Sequence, residues 1–103
     1  MTAQKTFKVK GQVWRYHGPA AWYFVTLPAK QSKQIKFHAA DQQSAWGSVR
    51  VKAKIGKTSW KTSLFPDSKA AAYLLPIKAD VRRKEKLEAG SDVNITLLIG
   101  VIE

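Results

Sequence analysis

The chain has 103 residues, no cysteine and a net charge of +11. This length predicts one domain with a core that needs no disulfide staples, and the missing thiols exclude disulfides and thiolate metal sites. No apolar run approaches the ~20 residues of a membrane helix, and the polar start of the chain has no signal-peptide pattern. We therefore expect a cytoplasmic protein without a membrane partner.

The positive charge is concentrated in the first part of the chain. Residues 1–64 hold twelve basic side chains and one acidic one, whereas residues 65–103 hold six of each. This asymmetry predicts a polyanionic partner, nucleic acid rather than membrane, because no amphipathic apolar face accompanies the cations. A surface that is basic only for solubility is the alternative.

The apolar periodicity predicts a mainly β chain with two helices. In chain order, strands are expected at 7–16, 21–27, 49–55, 59–65, 73–75 and 93–97, and helices at 29–38 and 77–87. Pro28 and Pro66 are expected to end strands, and Ala89-Gly90 to end the second helix. Asp92 is expected to fold its carboxylate onto backbone N–H groups of its own turn.

The two halves of the chain resemble each other. Each has a strand ending near a proline, then a basic helix, a Gly-Ser pair and an alternating strand, with copies at about 7–56 and 53–102. Such a period predicts an internal duplication, although chance similarity in a small β protein is the alternative for only two copies. We expect residues 1–103 to form a single all-β domain, a small closed or double-split barrel of two pseudo-repeated halves with two short α-helices and few free edges.

Two resemblances agree with this architecture. The segment Leu75-Pro76-Ile77-Lys78 with Val81-Arg82 and Ala89-Gly90-Ser91-Asp92-Val93 resembles the swapped-hairpin barrels of the AbrB/MazE type. Those proteins are transcription regulators and antitoxins in which two chains intertwine to bind DNA. The resemblance implies a strand, a proline, a short Arg-bearing helix, a Gly-Asp turn and a strand.

The second resemblance covers almost the whole chain. The segments that carry it are Trp22-Tyr23-x-Val25-x-Leu27-Pro28, Gly47-Ser48-Val49-Arg50-Val51, Ile55-Gly56-x-Thr58-x-Trp60-x-Thr62-Ser63-Leu64-Phe65-Pro66 and Tyr73-Leu74-Leu75-Pro76-Ile77-Lys78-x-x-Val81-Arg82. Together they resemble a bacterial domain-of-unknown-function family numbered 1905. The resemblance implies a small double-split barrel within one chain and no established activity. Relatives usually carry a glycine-rich stretch where this chain has Ser68-Lys69-Ala70-Ala71-Ala72.

No pattern in the sequence indicates catalysis. The two histidines, His17 and His38, have no third residue placed by a motif to orient them, and nucleophile-elbow, P-loop and HExxH patterns are missing. Ser63 lies near the end of a strand without an evident base, so its hydroxyl is expected to serve a turn or cap. We predict a non-enzymatic protein without a metal or other cofactor.

Alternating cations indicate a nucleic-acid-binding face. Period-2 pleating sends the basic residues of strands 7–16 and 49–55 outward, where like charges destabilise the sheet unless an anionic partner relieves them. Trp22 and Trp60 are predicted in the core, and Trp46 is predicted on the surface, where it could stack on a base. The predicted contact residues are Lys8, Lys10, Arg50, Lys52, Lys54, Lys57, Lys61 and Trp46. A solvated face kept basic to block edge pairing is the alternative.

A small-ligand or peptide pocket in the barrel is the second hypothesis. Its residues come from the family-like segments: Ser63, Phe65, Tyr73, Lys78 and Arg82. Arg82 could instead anchor its helix to the barrel through a carboxylate. A third hypothesis is an accessory domain that acts through protein contacts. The expected assembly is a monomer or a weak homodimer.

Overall fold

The structure, a computed structural model, describes residues 4–39 and 47–100. Its six strands and two helices follow the predicted order. The strands are β1 (Lys5–Arg15), β2 (Tyr23–Thr26), β3 (Val49–Ile55), β4 (Thr58–Asp67), β5 (Ala72–Pro76) and β6 (Asp92–Ile99). The helices are α1 (Ala29–His38), between β2 and β3, and α2 (Ala79–Glu85), between β5 and β6.

The six strands close into an antiparallel barrel in the order β1-β2-β5-β4-β3-β6. The predicted all-β barrel with two short helices is thereby confirmed. Exchanging β1, β2 and β3 for β4, β5 and β6 reproduces the same cyclic order, so each half of the chain has the same neighbours. This order supports an internal duplication, which we retain as a proposal. The prolines are not equivalent as the sequence match suggested, because Pro28 precedes α1 whereas Pro76 ends β5.

Two long strands each belong to both sides of the barrel. Over Lys5–Gln12, β1 pairs with β6, and from Val13 onward it pairs with β2. In the same way β4 pairs with β3 up to Leu64 and with β5 from Phe65 onward. The outer surface therefore has one side built on β1, β6, β3 and β4, and another built on β1, β2, β5 and β4.

The core consists of the inward side chains of the strands. In β3 the buried residues Val49, Val51, Ala53 and Ile55 alternate with exposed cations, as the period-2 pattern predicts. Each fully buried aliphatic side chain stabilises the barrel by roughly 1.5–3 kcal/mol. Trp60 is buried as predicted, but the core prediction for Trp22 is wrong because its side chain is 51% exposed. It lies just before β2 and has the same alternating position as Phe24, on the outer side of the barrel, whereas Val25 and Leu27 point inward.

Helix α1 has its predicted bounds and packs through Ile35 and Ser32. The Ser32 hydroxyl is buried and accepts the N–H of Tyr73 at 3.1 Å, which ties α1 to β5. The prediction for α2 was too long at both ends. The helix ends at Glu85 because Lys86 takes the left-handed conformation (φ 55°). Neither helix in the described part of the chain is long and apolar enough to cross a membrane.

Two further local predictions are wrong. Strand β4 continues through Pro66 to Asp67, and proline is tolerated there because within 4–39 and 47–100 only β5 pairs with that part of β4. Asp92 does not bond to its own turn. Its Oδ1 accepts Gln12 Nε2 at 3.1 Å across the β1–β6 ladder, and Ser91 Oγ accepts the Glu88 N–H of the turn instead.

Candidate functional site

Cations cover the outer side of β1, β6, β3 and β4. We call this set the basic strand face; its members are Lys8, Lys10, Arg50, Lys52, Lys54 and Lys61. All six side chains are exposed. The strand order places β6 between β1 and β3, so the cations of those two strands lie on the same outer side, separated by one strand.

The strand registers fix the spacing of these charges. Lys52 is directly opposite Lys61, which puts their Cβ atoms about 4.5–5.5 Å apart. Lys8 and Lys54 both pair with Thr96, from opposite sides, so they lie roughly 10 Å apart, two strand spacings. The basic strand face therefore carries cations on both sides of the uncharged middle of β6.

Little negative charge faces these cations. At the start of β6, the Asp92 carboxylate accepts a hydrogen bond from the Gln12 side chain. The ion pairs among the described residues are those of Asp80 with Arg83 and Lys84 on α2, and the hydrogen bond from Lys84 lowers the pKa of Asp80. The cations of the basic strand face therefore have no ion-pair partner within the part of the chain that the structure describes.

One predicted contact residue, Lys57, lies apart from this face. Lys57 is in the turn between β3 and β4. There the Glu85 carboxylate accepts the Lys57 N–H at 3.3 Å and the Thr58 hydroxyl at 2.6 Å. Lys57 therefore lies beside a negative charge at one end of the barrel. Trp46 lies outside the described residues.

The side of the barrel built on β1, β2, β5 and β4 carries an open cavity of about 670 Å³, which we call the aromatic groove. It is lined mainly by aromatic and apolar side chains, with a short polar rim. The lining residues are Trp14, Tyr16, Trp22, Phe24, Phe65, Pro66, Asp67, Ser68, Lys69 and Leu74.

Strand pairing and ring contacts order these aromatic side chains. Trp14 and Phe24 are neighbours across the β1–β2 ladder, with ring centroids 5.2 Å apart. The Trp22 ring stacks almost parallel on Phe24, with centroids 5.9 Å apart. The Trp14 indole N–H donates to the Thr26 hydroxyl at 2.9 Å and so fixes that ring. Trp22 and Phe24 therefore form a parallel ring pair, to which the Trp14 ring is inclined by 39°.

The aromatic groove was not predicted, although part of its signal is in the sequence. Trp14 has the same alternating position on β1 as Lys8 and Lys10, which marks it as outward-facing. The core was predicted instead for Trp22 and Trp60, because both are aromatic residues within alternating strand patterns. Trp22 and Phe65 are 51% and 43% exposed, a large apolar surface for a small barrel.

The five residues of the hypothetical ligand pocket do not share one cavity. Phe65 lines the aromatic groove, whereas Ser63 is opposite Arg50 within β4 rather than in a turn. Tyr73 is buried in the core. The remaining two, Lys78 and Arg82, belong to the start and middle of α2.

Arg82 anchors α2 to the barrel, but not through a carboxylate. Its guanidinium lies over the Tyr23 ring, 3.7 Å from the centroid, and its Nε donates to the Ile77 carbonyl at 3.2 Å. A cation placed on an aromatic face in this way stabilises by about 0.5–2 kcal/mol. Arg82 thus has a structural contact that accounts for its position.

The histidines lie far apart in the described chain. His17 is exposed in the loop after β1, and His38 makes an edge-to-face contact with Phe7, with centroids 6.3 Å apart. Between residues 4–39 and 47–100, no group of three or more His, Cys, Asp or Glu side chains is arranged to hold a metal ion.

The comparisons with known proteins bear on family and not on activity. The chain matches no curated protein. The family model described as "Domain of unknown function (DUF1905)" matches residues 10–97. That range runs from the middle of β1 to residue 97, near the end of β6, and it includes both helices. Because the match spans most of its length, the chain belongs to the DUF1905 family.

Proposed function

We propose that this protein is a non-enzymatic module that binds nucleic acid through the basic strand face. The observation that supports this function best is the Lys52–Lys61 pair, two exposed cations directly opposite each other on adjacent strands. Like charges in that position destabilise a strand pair by a few tenths of a kcal/mol up to ~1 kcal/mol. A phosphate group bound between the two ammonium groups would offset their repulsion. Binding of a polyanion would therefore also stabilise the folded barrel.

The wider charge distribution supports the same partner. The six cations lie on β1, β3 and β4, with β6 between β1 and β3, and Asp92 at the start of β6 is already hydrogen-bonded to Gln12. Phosphate contacts of this kind position a nucleic acid without reading its sequence. We therefore expect binding of low sequence specificity. If all six cations contact phosphates on a duplex, the slope of log affinity against log salt is roughly −5.

The test is a binding titration with labelled single-stranded DNA, duplex DNA and RNA at about 50 and 200 mM salt. The test variant reverses three charges of β3: Arg50→Glu, Lys52→Glu and Lys54→Glu. The matched control reverses three exposed lysines of α1 (Lys30, Lys33 and Lys36), which gives the same change in net charge. We expect the β3 variant to lose affinity and salt dependence while the control keeps most of both. Equal losses in the two variants would contradict a specific role for the face.

A second candidate function is the binding of a small aromatic or apolar molecule, or a peptide, in the aromatic groove. The size of the groove and the exposed Trp22 and Phe65 rings favour it. Such a ligand raises the melting temperature of the free protein, because it binds only the folded state. That increase would be independent of the charge reversals on β3.

A further inference from the structure

We propose that the aromatic groove stacks the unpaired bases of a single-stranded nucleic acid whose phosphates lie on the basic strand face. This inference rests on the proposed function and names its substrate class. It combines the groove's ordered rings with the position of the groove beside the cations. Neither observation alone identifies the ligand.

The groove has the form that base stacking needs. Trp22 is half exposed and lies parallel to Phe24, and both rings line the open groove in which a third flat ring would stack. Trp14 is held by Thr26 and does not have to be ordered when a ligand arrives. Stacking on such rings tolerates any base, because every base has a π face.

The groove and the basic strand face are continuous along two strands. On β1 the outward residues run Lys8, Lys10, Gln12 and Trp14, and on β4 they run Lys61, Ser63 and Phe65. Strand rise places the last cation about 13 Å from the aromatic residue on each strand. This spacing is short enough for a few nucleotides to contact both surfaces at once.

The charge around the groove favours nucleic acid over an apolar peptide. The groove lies on a chain of net charge +11, and Lys69 is part of its rim. The rim carboxylate, Asp67, already accepts the backbone N–H of Lys69 at 3.1 Å. A duplex keeps its bases stacked inside, so only an unpaired nucleic-acid strand can supply both free bases and phosphates.

The experiment compares a labelled oligothymidylate of about 12 nucleotides with an abasic strand of equal length and charge. The variants are Trp22→Ala and, independently, Phe65→Ala, both at exposed positions. The control is Phe37→Ala, which removes an aromatic side chain that is 88% exposed on α1, outside the groove. Circular dichroism establishes that each variant is folded.

We expect each groove variant to bind oligothymidylate roughly 5- to 100-fold more weakly, with an unchanged salt slope and unchanged binding to duplex and abasic strands. Phe37→Ala is expected to bind like the unmodified protein. If Trp22→Ala and Phe65→Ala bind oligothymidylate normally, or lose equal affinity for the abasic strand, base stacking is wrong and phosphate binding stands. If the unmodified protein binds no nucleic acid at low salt, the proposed function fails as well. Saturable binding of an uncharged aromatic peptide by the groove, with no effect of the oligonucleotide, would overturn the inference in favour of a protein partner.

Discussion

Reversing one charge of the Lys52–Lys61 pair is expected to stabilise the barrel while weakening nucleic-acid binding. In Lys61→Glu the residue opposite Lys52 becomes an acid, so a repulsion is replaced by an attraction. Each of these two changes contributes a few tenths of a kcal/mol up to ~1 kcal/mol, and both side chains are exposed. The combined gain in the free energy of unfolding is about 0.5–1.5 kcal/mol at low salt.

Thermal unfolding followed by circular dichroism measures this gain. For a domain of this size, it corresponds to a rise in the melting temperature of about 2–10 °C. The rise is expected at about 0.01 M salt and is largely lost at about 1 M, where the Debye length falls to ~3 Å. In parallel, affinity for single-stranded DNA is expected to fall and the salt slope to become less steep by somewhat less than one.

The matched control is Lys33→Glu, which makes the same change in net charge on the exposed side of α1. It is expected to leave the affinity for single-stranded DNA nearly unchanged, and any change in its melting temperature comes from Lys30 and Lys36, which lie three residues away on the same helix. A Lys61→Glu protein that is less stable than the unmodified protein at low salt would refute the argument from register. Normal DNA affinity in that variant would refute the functional part.

Three other substitutions test the packing described above. Ala71→Gly is expected to raise the free energy of unfolding by up to about 1 kcal/mol in chemical denaturation. Ala71 has a φ of 51°, a conformation that is unfavourable for any residue with a Cβ atom but not for glycine. A loss of stability would contradict this. Ser32→Ala is expected to lower the free energy of unfolding by about 1–3 kcal/mol, because the buried N–H of Tyr73 loses its hydroxyl acceptor, and an unchanged denaturation midpoint would argue against the bond. Glu85→Ala is expected to cost about 1–2 kcal/mol and to speed hydrogen exchange in the β3–β4 turn, because Thr58 loses its carboxylate partner; normal exchange there would be inconsistent with that contact.

Local pattern predicted the fold where one face of an element is buried and the other is solvated. The bounds of β3 and α1 came from the sequence without error, since Val49 to Ile55 alternate strictly and Ile35 is the buried apolar residue of a basic helix. The end of α2 could not be found in the same way. Gly90 was predicted to end the helix, because glycine adopts the left-handed conformation most readily. In the structure Lys86 adopts that conformation and ends the helix four residues earlier.

The aromatic groove depends on contacts between strands that are distant in the sequence, and local sequence patterns do not predict such contacts. Trp14 meets Phe24, and Phe65 meets Leu74, only because β2 and β5 are neighbours between β1 and β4. Hydrophobicity alone does not distinguish an apolar residue inside a barrel from one outside it. The sequence therefore predicted outward cations on β1 and β3 but assigned the exposed Trp22 to the core.

The ladder between β1 and β6 also determines where this chain could be cut. Lys5, the first residue of β1, pairs with Ile99, the last residue of β6, so these two strand ends lie side by side. Ile55 and Thr58 pair in the same way on either side of the β3–β4 turn. A short linker from β6 to β1, with a new opening between Gly56 and Lys57, would give a circular permutant that retains every strand pairing. We expect such a permutant to fold into the same barrel, because no strand pairing depends on the peptide bond between Gly56 and Lys57.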